Sequence, residues 1–426
     1  MSAAPVSLGR LWALMLTVFV DMVGFLMVLP LLPFYATRLG ASPFFVGLMV
    51  SAFAVAQLGV SPFWGRLSDR RGRRPALMAG ISIATLAYGF FAFACSDWAM
   101  HHFDGRQLIG LLFLSRLVQG AGGATTGVVQ AYVGDAIVPE ERAKALGWIT
   151  AATSAGVMIG PALGSLASLA GPAAPGLAAV ALCLLNLVFV RGWLPESTSA
   201  ESQQRAEREP RGSLARRMLE VLHHPLRPVE RLIWVYAVGM MAFMAMNGVL
   251  ALFLQARFGF TEKSIGWVYT FVGTISLVMR SLILGPCVRR FGERGVMRLG
   301  LAGLAAGFAL QTLAPSIPTF AAAIVLIPVG TALLFPATTS LVSRYAEPHE
   351  LGATMGVQQA YGGVARLFGP LWAGLAFERL GIGAPFWISA GLALGTLGVA
   401  LGVQPPPRPR TLEVPAPTPA PASARS

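Results

Sequence analysis

Apolar residues run along this chain in long blocks set apart by short polar stretches. The blocks have neither the period of a strand nor the one-sided stripe of a surface helix. Twelve stand out, at about residues 11–34, 44–64, 76–95, 108–132, 145–170, 173–193, 231–255, 265–286, 296–314, 318–342, 352–377 and 385–403. Most reach the ~20 residues that a helix needs to cross ~30 Å of hydrocarbon. The pattern predicts an all-α integral membrane protein of twelve transmembrane helices, numbered here as spans 1 to 12. The first block is too long for a signal-peptide core and lacks a small-residue cleavage site after it, so it reads as a span.

The longest polar stretch, 194–230, divides the spans six and six. It separates an N-terminal bundle, 1–193, from a C-terminal bundle, 231–403. Within it, residues 213–222 (SLARRMLEVL) have the pattern of a short interfacial amphipathic helix. The tail 404–426 is rich in Pro and Ala and reads as disordered.

Composition sharpens this picture. Of 426 residues, 55% are apolar and 12% charged, about half the charged share of a soluble domain. That excludes a soluble enzyme of ordinary composition. The formal charge is +13, which in a soluble protein would raise nucleic-acid binding. Here it follows topology. With the N-terminus in the cytoplasm, 24 Lys and Arg fall on the cytoplasmic side and five on the outer side, leaving Arg116, Arg280 and Arg366 inside spans. This positive-inside bias places both termini in the cytoplasm and the chain in the inner membrane. No nucleic-acid partner is expected. Cys95, Cys183 and Cys287 lie too far apart to suggest a disulfide framework or a metal site. Adjacent His101 and His102, near Asp104, read as a solvated loop rather than metal ligands. No phosphate-binding glycine loop and no nucleophile–base arrangement occurs, so neither an ATP motor nor an enzyme is expected.

The two halves resemble each other. Pro139-Glu140-Glu141, Gly147 and Gly160-Pro161 match Pro348-His349-Glu350, Gly356 and Gly369-Pro370 at a constant offset of 209. Gly65…Arg70-Arg71-Gly72 matches Gly285…Arg289-Arg290…Gly292 less neatly. Two parallel six-helix repeats are a secondary-transporter architecture, with the substrate site near the midplane between them.

The loop between spans 2 and 3 reads Gly65-Arg66-Leu67-Ser68-Asp69-Arg70-Arg71-Gly72-Arg73-Arg74-Pro75. A basic anchor accounts for the arginines but not for Asp69 or the paired glycines. The loop resembles the signature of the major facilitator superfamily, G-x-L-x-D-R-x-G-R-[RK]. The resemblance implies a gate: Gly65 would let span 2 approach span 11, and Asp69 would meet the N-terminal dipole of span 11, where a carboxylate is worth about 0.3–1 kcal/mol. Such a latch would hold an outward-open state. Arg70, Gly72 and Arg73 belong to the same motif. Asp135 and Arg142, after span 4, also resemble the family, with Asp135 able to pair with the basic loop; a solvated loop is the plainer alternative.

Charges inside the spans carry the candidate chemistry. Arg116 lies in Leu114-Ser115-Arg116-Leu117-Val118-Gln119-Gly120 of span 4. An arginine at this depth costs at least ~2.5–3.5 kcal/mol and needs a partner or a wet cavity. The segment resembles the family's span 4 motif. Asp21 is the only acid inside any span. Burial resists its ionisation and a nearby arginine favours it, which together make a proton switch. Asp21 and Arg116 are therefore the expected proton-coupling pair, with Gln119 one turn from Arg116 and closer to the level of Asp21. The spacing Asp21…Gly24…Pro30…Pro33 is similar to that of tetracycline exporters and related drug–proton antiporters. In span 5, Gly156, Gly160, Pro161 and Gly164 match the antiporter motif G-x-x-x-G-P-x-x-G; the four-residue glycine spacing alone would suit close helix packing. In the second half, Arg366, Arg280 and Asn247 are substrate-cavity candidates, with snorkelling the alternative for Arg280 and plain packing for Asn247. Three intramembrane arginines against one aspartate suggest an anionic group on the substrate, or a site filled by water or an anion.

Tetracycline exporters carry further acids in spans 3 and 9, and these are absent here, which argues against tetracycline itself. Asp21 is left as the sole intramembrane proton carrier, with Glu378 at a helix end a further contributor. The expected function is proton-coupled efflux of amphiphilic small molecules by a monomer in the bilayer. It would be driven by the proton gradient and need no cofactor. The rival reading is an importer or facilitator of a small organic anion.

Overall fold

The computed structural model describes residues 8–123, 125–197, 214–347 and 350–404. Its described residues are helical throughout, with connecting turns. The first half contains α1 (Leu8–Val28), α2 (Leu32–Arg38), α3 (Pro43–Arg71), α4 (Arg73–Ala94), the short α5 (Asp97–His102), α6 (Gly105–Gly122), α7 (Thr125–Ala136), α8 (Pro139–Ala167) and α9 (Ala174–Trp193). The linker carries α10 (Leu214–His223). The second half contains α11 (Pro228–Phe258), α12 (Ile265–Val278), a π-turn (Met279–Ile283), α13 (Leu284–Leu313), α14 (Ile317–Ile324), α15 (Leu326–Tyr345), α16 (Leu351–Leu380) and α17 (Ala384–Leu401).

Several expected spans are broken, each for a local reason. Span 1 divides into α1 and α2 beside Pro30 and Pro33, since proline cannot donate to the preceding turn. Span 4 divides at Gly123, where α6 ends. The loop expected between spans 8 and 9 is instead helical, interrupted at Gly292, whose φ of 68° and ψ of 166° suit glycine. Among the described residues, ten stretches are long and apolar enough to cross a membrane. One of them, Ile265–Leu313, has 49 residues and includes the Gly292 break. The helix α16 falls outside the ten; Gln358, Gln359 and Arg366 dilute its apolar content.

Packing follows the sequence halves. In the first, α1 packs on α8 and α9, and α4 on α6 and α9; in the second, α11 packs on α16 and α17, and α13 on α15 and α17. The halves meet chiefly through two helix pairs, α3 with α16 and α8 with α12, with smaller contacts of α11 on α2 and α3. Both contacts lie at the end of the bundle away from the linker. Gly47 of α3 backs onto the carbonyl of Pro370, and Gly266 of α12 backs onto the carbonyl of Pro161. Ser51 donates to the Leu367 carbonyl at 2.6 Å and the Phe44 amide donates to Glu378 at 3.1 Å. At the linker end the same helices stand apart: a Cβ on Gly65, Gly147, Gly352 or Gly356 would meet nothing within 4 Å. The protein is thus closed on the far side and open on the linker side.

The linker helix α10 docks on the second half. Val221 is buried with Ile233, Ala237, Val357 and Tyr361, while Tyr361 donates to the Met218 carbonyl at 2.9 Å. The residues expected to form the disordered tail lie, beyond Gln404, outside the described residues.

Candidate transport site

The site is built from the buried polar residues of α1, α4 and α6. Arg116, on α6, is 1% exposed. Its Nη1 donates to Gln119 Oε1 one turn along the same helix, which leaves the Gln119 Nε2 free to donate to the Tyr88 hydroxyl at 2.7 Å. The guanidinium also sits over the rings of Phe25 and Phe53, 5.8 and 5.5 Å from their centroids. Such stacking is worth ~2 kcal/mol when desolvated. Arg116 Nε and Nη2 are buried without a hydrogen-bond partner, so the arginine keeps unused donor capacity.

Asp21 stands half-buried on α1. The direct pairing expected between Asp21 and Arg116 is not formed. Arg116 bonds Gln119, and Tyr88 is the residue within electrostatic reach of both Asp21 and Arg116. Gly24, one turn beyond Asp21, makes room for Tyr88: a Cβ there would lie 3.2 Å from the tyrosine hydroxyl. Tyr88 is the residue that sequence reasoning missed. Its hydroxyl was one of three in span 3, with those of Ser82 and Thr85, and nothing in the sequence singled it out.

The glycines of α8 hold this arrangement in place. A Cβ at Gly156 would lie 2.7 Å from the Met22 Cβ, and one at Gly160 would lie 2.9 Å from the Val23 carbonyl. Gly164 approaches the Met27 carbonyl in the same way. The stripe therefore packs on the segment of α1 that carries Asp21, and Pro161 turns to the second half at Gly266.

The motif between α3 and α4 forms an ionic cluster centred on Arg73. Its Nη1 meets Asp69 at 2.6 Å and Ser68 at 2.8 Å, and its Nε meets Asp135 at 2.8 Å. Gly72, with φ of 101°, provides the sharp break between the two helices. Glu196, from the start of the linker, accepts from the backbone amides of Arg73 and Arg74 at 2.7 and 3.2 Å. It caps the exposed N-terminus of α4, a role that nothing in the local sequence announced. Arg70 is exposed, and Arg142 donates to the Ile137 carbonyl at 2.9 Å.

With the linker side open, the motif is not engaged with α16. Asp69 is bonded to Arg73 rather than to the N-terminus of α16, and Gly65 makes no close approach to α16. The cause is the closure at the far end. With Gly47 of α3 pressed on the Pro370 carbonyl and Gly374 of α16 pressed on the Pro43 carbonyl, the linker ends of α3 and α16 diverge.

In the second half, Arg366 is half-buried on α16, and Arg280 projects from the π-turn into a cavity. Neither forms a hydrogen bond or ion pair with a described residue. Asn247 donates to the Phe243 carbonyl of its own helix at 2.9 Å, a packing role that points to no ligand. At the far side, His102 stacks on Trp98 with centroids 4.4 Å apart, and Asp104 caps α6. Among the described residues no group of three or more His, Cys, Asp or Glu is placed to hold a metal.

This architecture matches known proteins along its length. The profile of the Major Facilitator Superfamily matches residues 14–284 and 232–425. The chain is 29% identical over 390 residues to Multidrug resistance protein 2 of Bacillus subtilis, covering 91% of this chain and 93% of that one. It is 26% identical over 381 residues to the class B Tetracycline resistance protein of Escherichia coli, covering 88% and 89%. The crystal structure of the human organic anion transporter MFSD10 superposes with a TM-score of 0.65 at 23% identity, covering 93% of this chain and all of that one. The chain is a transporter and not an enzyme, and it belongs to the major facilitator superfamily.

Proposed function

We propose that this transporter exports amphiphilic small molecules across the cytoplasmic membrane in exchange for protons. Its similarity to multidrug and tetracycline resistance proteins supports drug efflux. The observation that carries proton exchange is the buried polar row of Asp21, Tyr88, Gln119 and Arg116, held against the glycine stripe of α8. It sets one acid, half-buried on α1, beside a network whose arginine has spare donors.

The reading takes the linker side as cytoplasmic, with both termini inside, twelve crossings and a monomeric unit. Twelve follows if Ile265–Leu313 crosses twice around Gly292 and α16 crosses once. As continuous helix, 49 residues would extend ~74 Å, more than twice the hydrocarbon thickness.

In the conformation described, substrate enters from the cytoplasm and Asp21 releases its proton there. Its carboxylate then draws the Tyr88 hydroxyl, whose oxygen already accepts from Gln119, and the polarity of the row transmits the change to Arg116. Opening of the far side exposes Asp21 to the outer proton pool. Protonation there removes the charge and releases substrate. The membrane potential contributes ~2.3 kcal/mol per charge per 100 mV.

The test is transport of norfloxacin, a fluorescent amphiphile, into proteoliposomes under an imposed pH gradient. D21N should abolish gradient-driven uptake while leaving norfloxacin binding in detergent. Full gradient-driven uptake by D21N would overturn the reading. The unpaired Arg280 and Arg366 favour the second reading, a carrier for organic anions; downhill anion flux insensitive to the proton gradient would support it.

A further inference from the structure

The second half carries an open cavity of about 580 Å³, well within the size of small-molecule sites. Its walls come from α11, α15, the start of α16 and the π-turn. Such turns are rare and cluster at functional sites. Arg280, the second residue of this one, is the only charged side chain in the cavity lining.

The polar groups around Arg280 divide into committed and open ones. Ser340 donates to Glu293 at 2.5 Å, and Arg344 pairs with Glu293 at 3.0 Å, so that carboxylate is already neutralised. Ser343 donates to the Ser340 carbonyl at 2.7 Å. Thr339 differs. Its oxygen accepts from Gln358 Nε2 at 3.1 Å, and its own proton has no acceptor among the described residues. Three donors in the lining therefore have no acceptor among the described residues: the Arg280 guanidinium and the Thr339 and Tyr236 hydroxyls. An apolar wall adjoins them, where Tyr236 and Phe335 pack edge to face at 5.3 Å.

We propose that this cavity is an anion subsite. Arg280 and Thr339 would hold the carboxylate of an aromatic amphiphile, and Tyr236 and Phe335 would flank its ring. The proposal rests on the transport reading only in taking the ligand as cargo. A cation in the wall favours carboxylate over a neutral isostere, because the bond to a charged group is the stronger one. It would give the transporter a preference among amphiphiles that Asp21, in the other half, does not supply.

The test is equilibrium binding of 2-naphthoate and neutral 2-naphthamide to the full chain in phosphatidylcholine nanodiscs. The wild type should bind the naphthoate at least about tenfold more tightly. R280Q should erase that preference and leave naphthamide binding unchanged. R280K should keep part of it, and T339V should lose part. Equal affinity of the wild type for both ligands, or a preference that survives R280Q, would overturn the proposal. Loss of naphthoate binding when phosphatidylglycerol replaces part of the lipid would assign Arg280 to a lipid headgroup and overturn its role with cargo. Binding needs no gradient, so a failure of proton-driven norfloxacin transport would leave these outcomes readable.

Discussion

Arg38 and Glu262 bridge the two halves of the transporter at 2.7 Å, on the side away from the linker. Arg38 ends α2 in the first half, and Glu262 follows α11 in the second. The backbone joins the same clasp, since Ser165 of α8 donates to the Glu262 carbonyl at 2.7 Å and accepts from the Gly266 amide at 2.9 Å. Burial works against ionisation of Glu262, but the hydrogen bond and charge of Arg38, with Lys263 nearby, hold its carboxyl below the usual carboxylate range. The pair therefore favours the closed far side wherever Glu262 is ionised. That contribution is complete above the ordinary carboxylate pKa and is lost as the pH falls through the lowered value.

It follows that E262Q, or acid on the far side, opens this clasp. A half-exposed ion pair is worth about 0.2–1 kcal/mol, so the shift in population should be at most about fivefold. The readout is maleimide labelling of S51C, with the three native cysteines replaced. Ser51 is buried at the closed interface. Labelling from the far side should rise in E262Q and become insensitive to acid; an unchanged rate would remove the pair from the gate.

The glycines beside the clasp should matter more. Gly47 meets the Pro370 carbonyl and Gly266 meets the Pro161 carbonyl, and both prolines occupy the same place in the repeat. A side chain at either position would overlap backbone that cannot move aside cheaply. G47V and G266V should each disfavour the closed far side, raise S51C labelling strongly and reduce transport by more than about tenfold, since overpacking costs about 1–3 kcal/mol. Similar phenotypes from the two variants would reflect the twofold arrangement; near-normal transport by either would argue against it.

These prolines also mark what the sequence made legible. The offset of 209 pairs Gly160-Pro161 with Gly369-Pro370; in each pair the glycine packs on a helix of its own half and the proline carbonyl meets the other half. The Asp69 loop was readable because its charges and glycines are local. Its partners were not. Whether Asp69 meets Arg73 or α16 depends on which end of the molecule is closed, and one sequence serves both conformations. Tyr88, Glu196 and Glu262 were missed because each acts through a residue at least 31 positions away. The break at Gly123 escaped notice because the apolar block of span 4 continues through it, whereas Gly292 lies where a loop between spans 8 and 9 was expected.

Tyr88 can be tested directly. Y88F removes the oxygen that accepts from Gln119 Nε2, leaving a buried donor unsatisfied at a cost of about 1–3 kcal/mol. It also removes the hydroxyl within reach of Asp21. Gradient-driven norfloxacin transport should fall about tenfold or more, while exchange of norfloxacin at equal pH on both sides should be largely retained. Equal loss of both activities would indicate a general packing defect instead of a coupling role.

Arg73 separates structural from gating use of the same motif. Its guanidinium bonds both Asp69 and Asp135, each less than a quarter exposed at the side chain. R73M would strand two carboxylates, and breaking a buried pair in this way costs about 3–5 kcal/mol. Thermal unfolding in detergent should therefore show a clear drop. The triple variant R73M/D69N/D135N removes the stranded charges and should recover most of that stability. Transport should not recover with it if Asp69 must meet the N-terminus of α16 when the linker side closes. Recovery of both together would make the cluster a structural clamp alone.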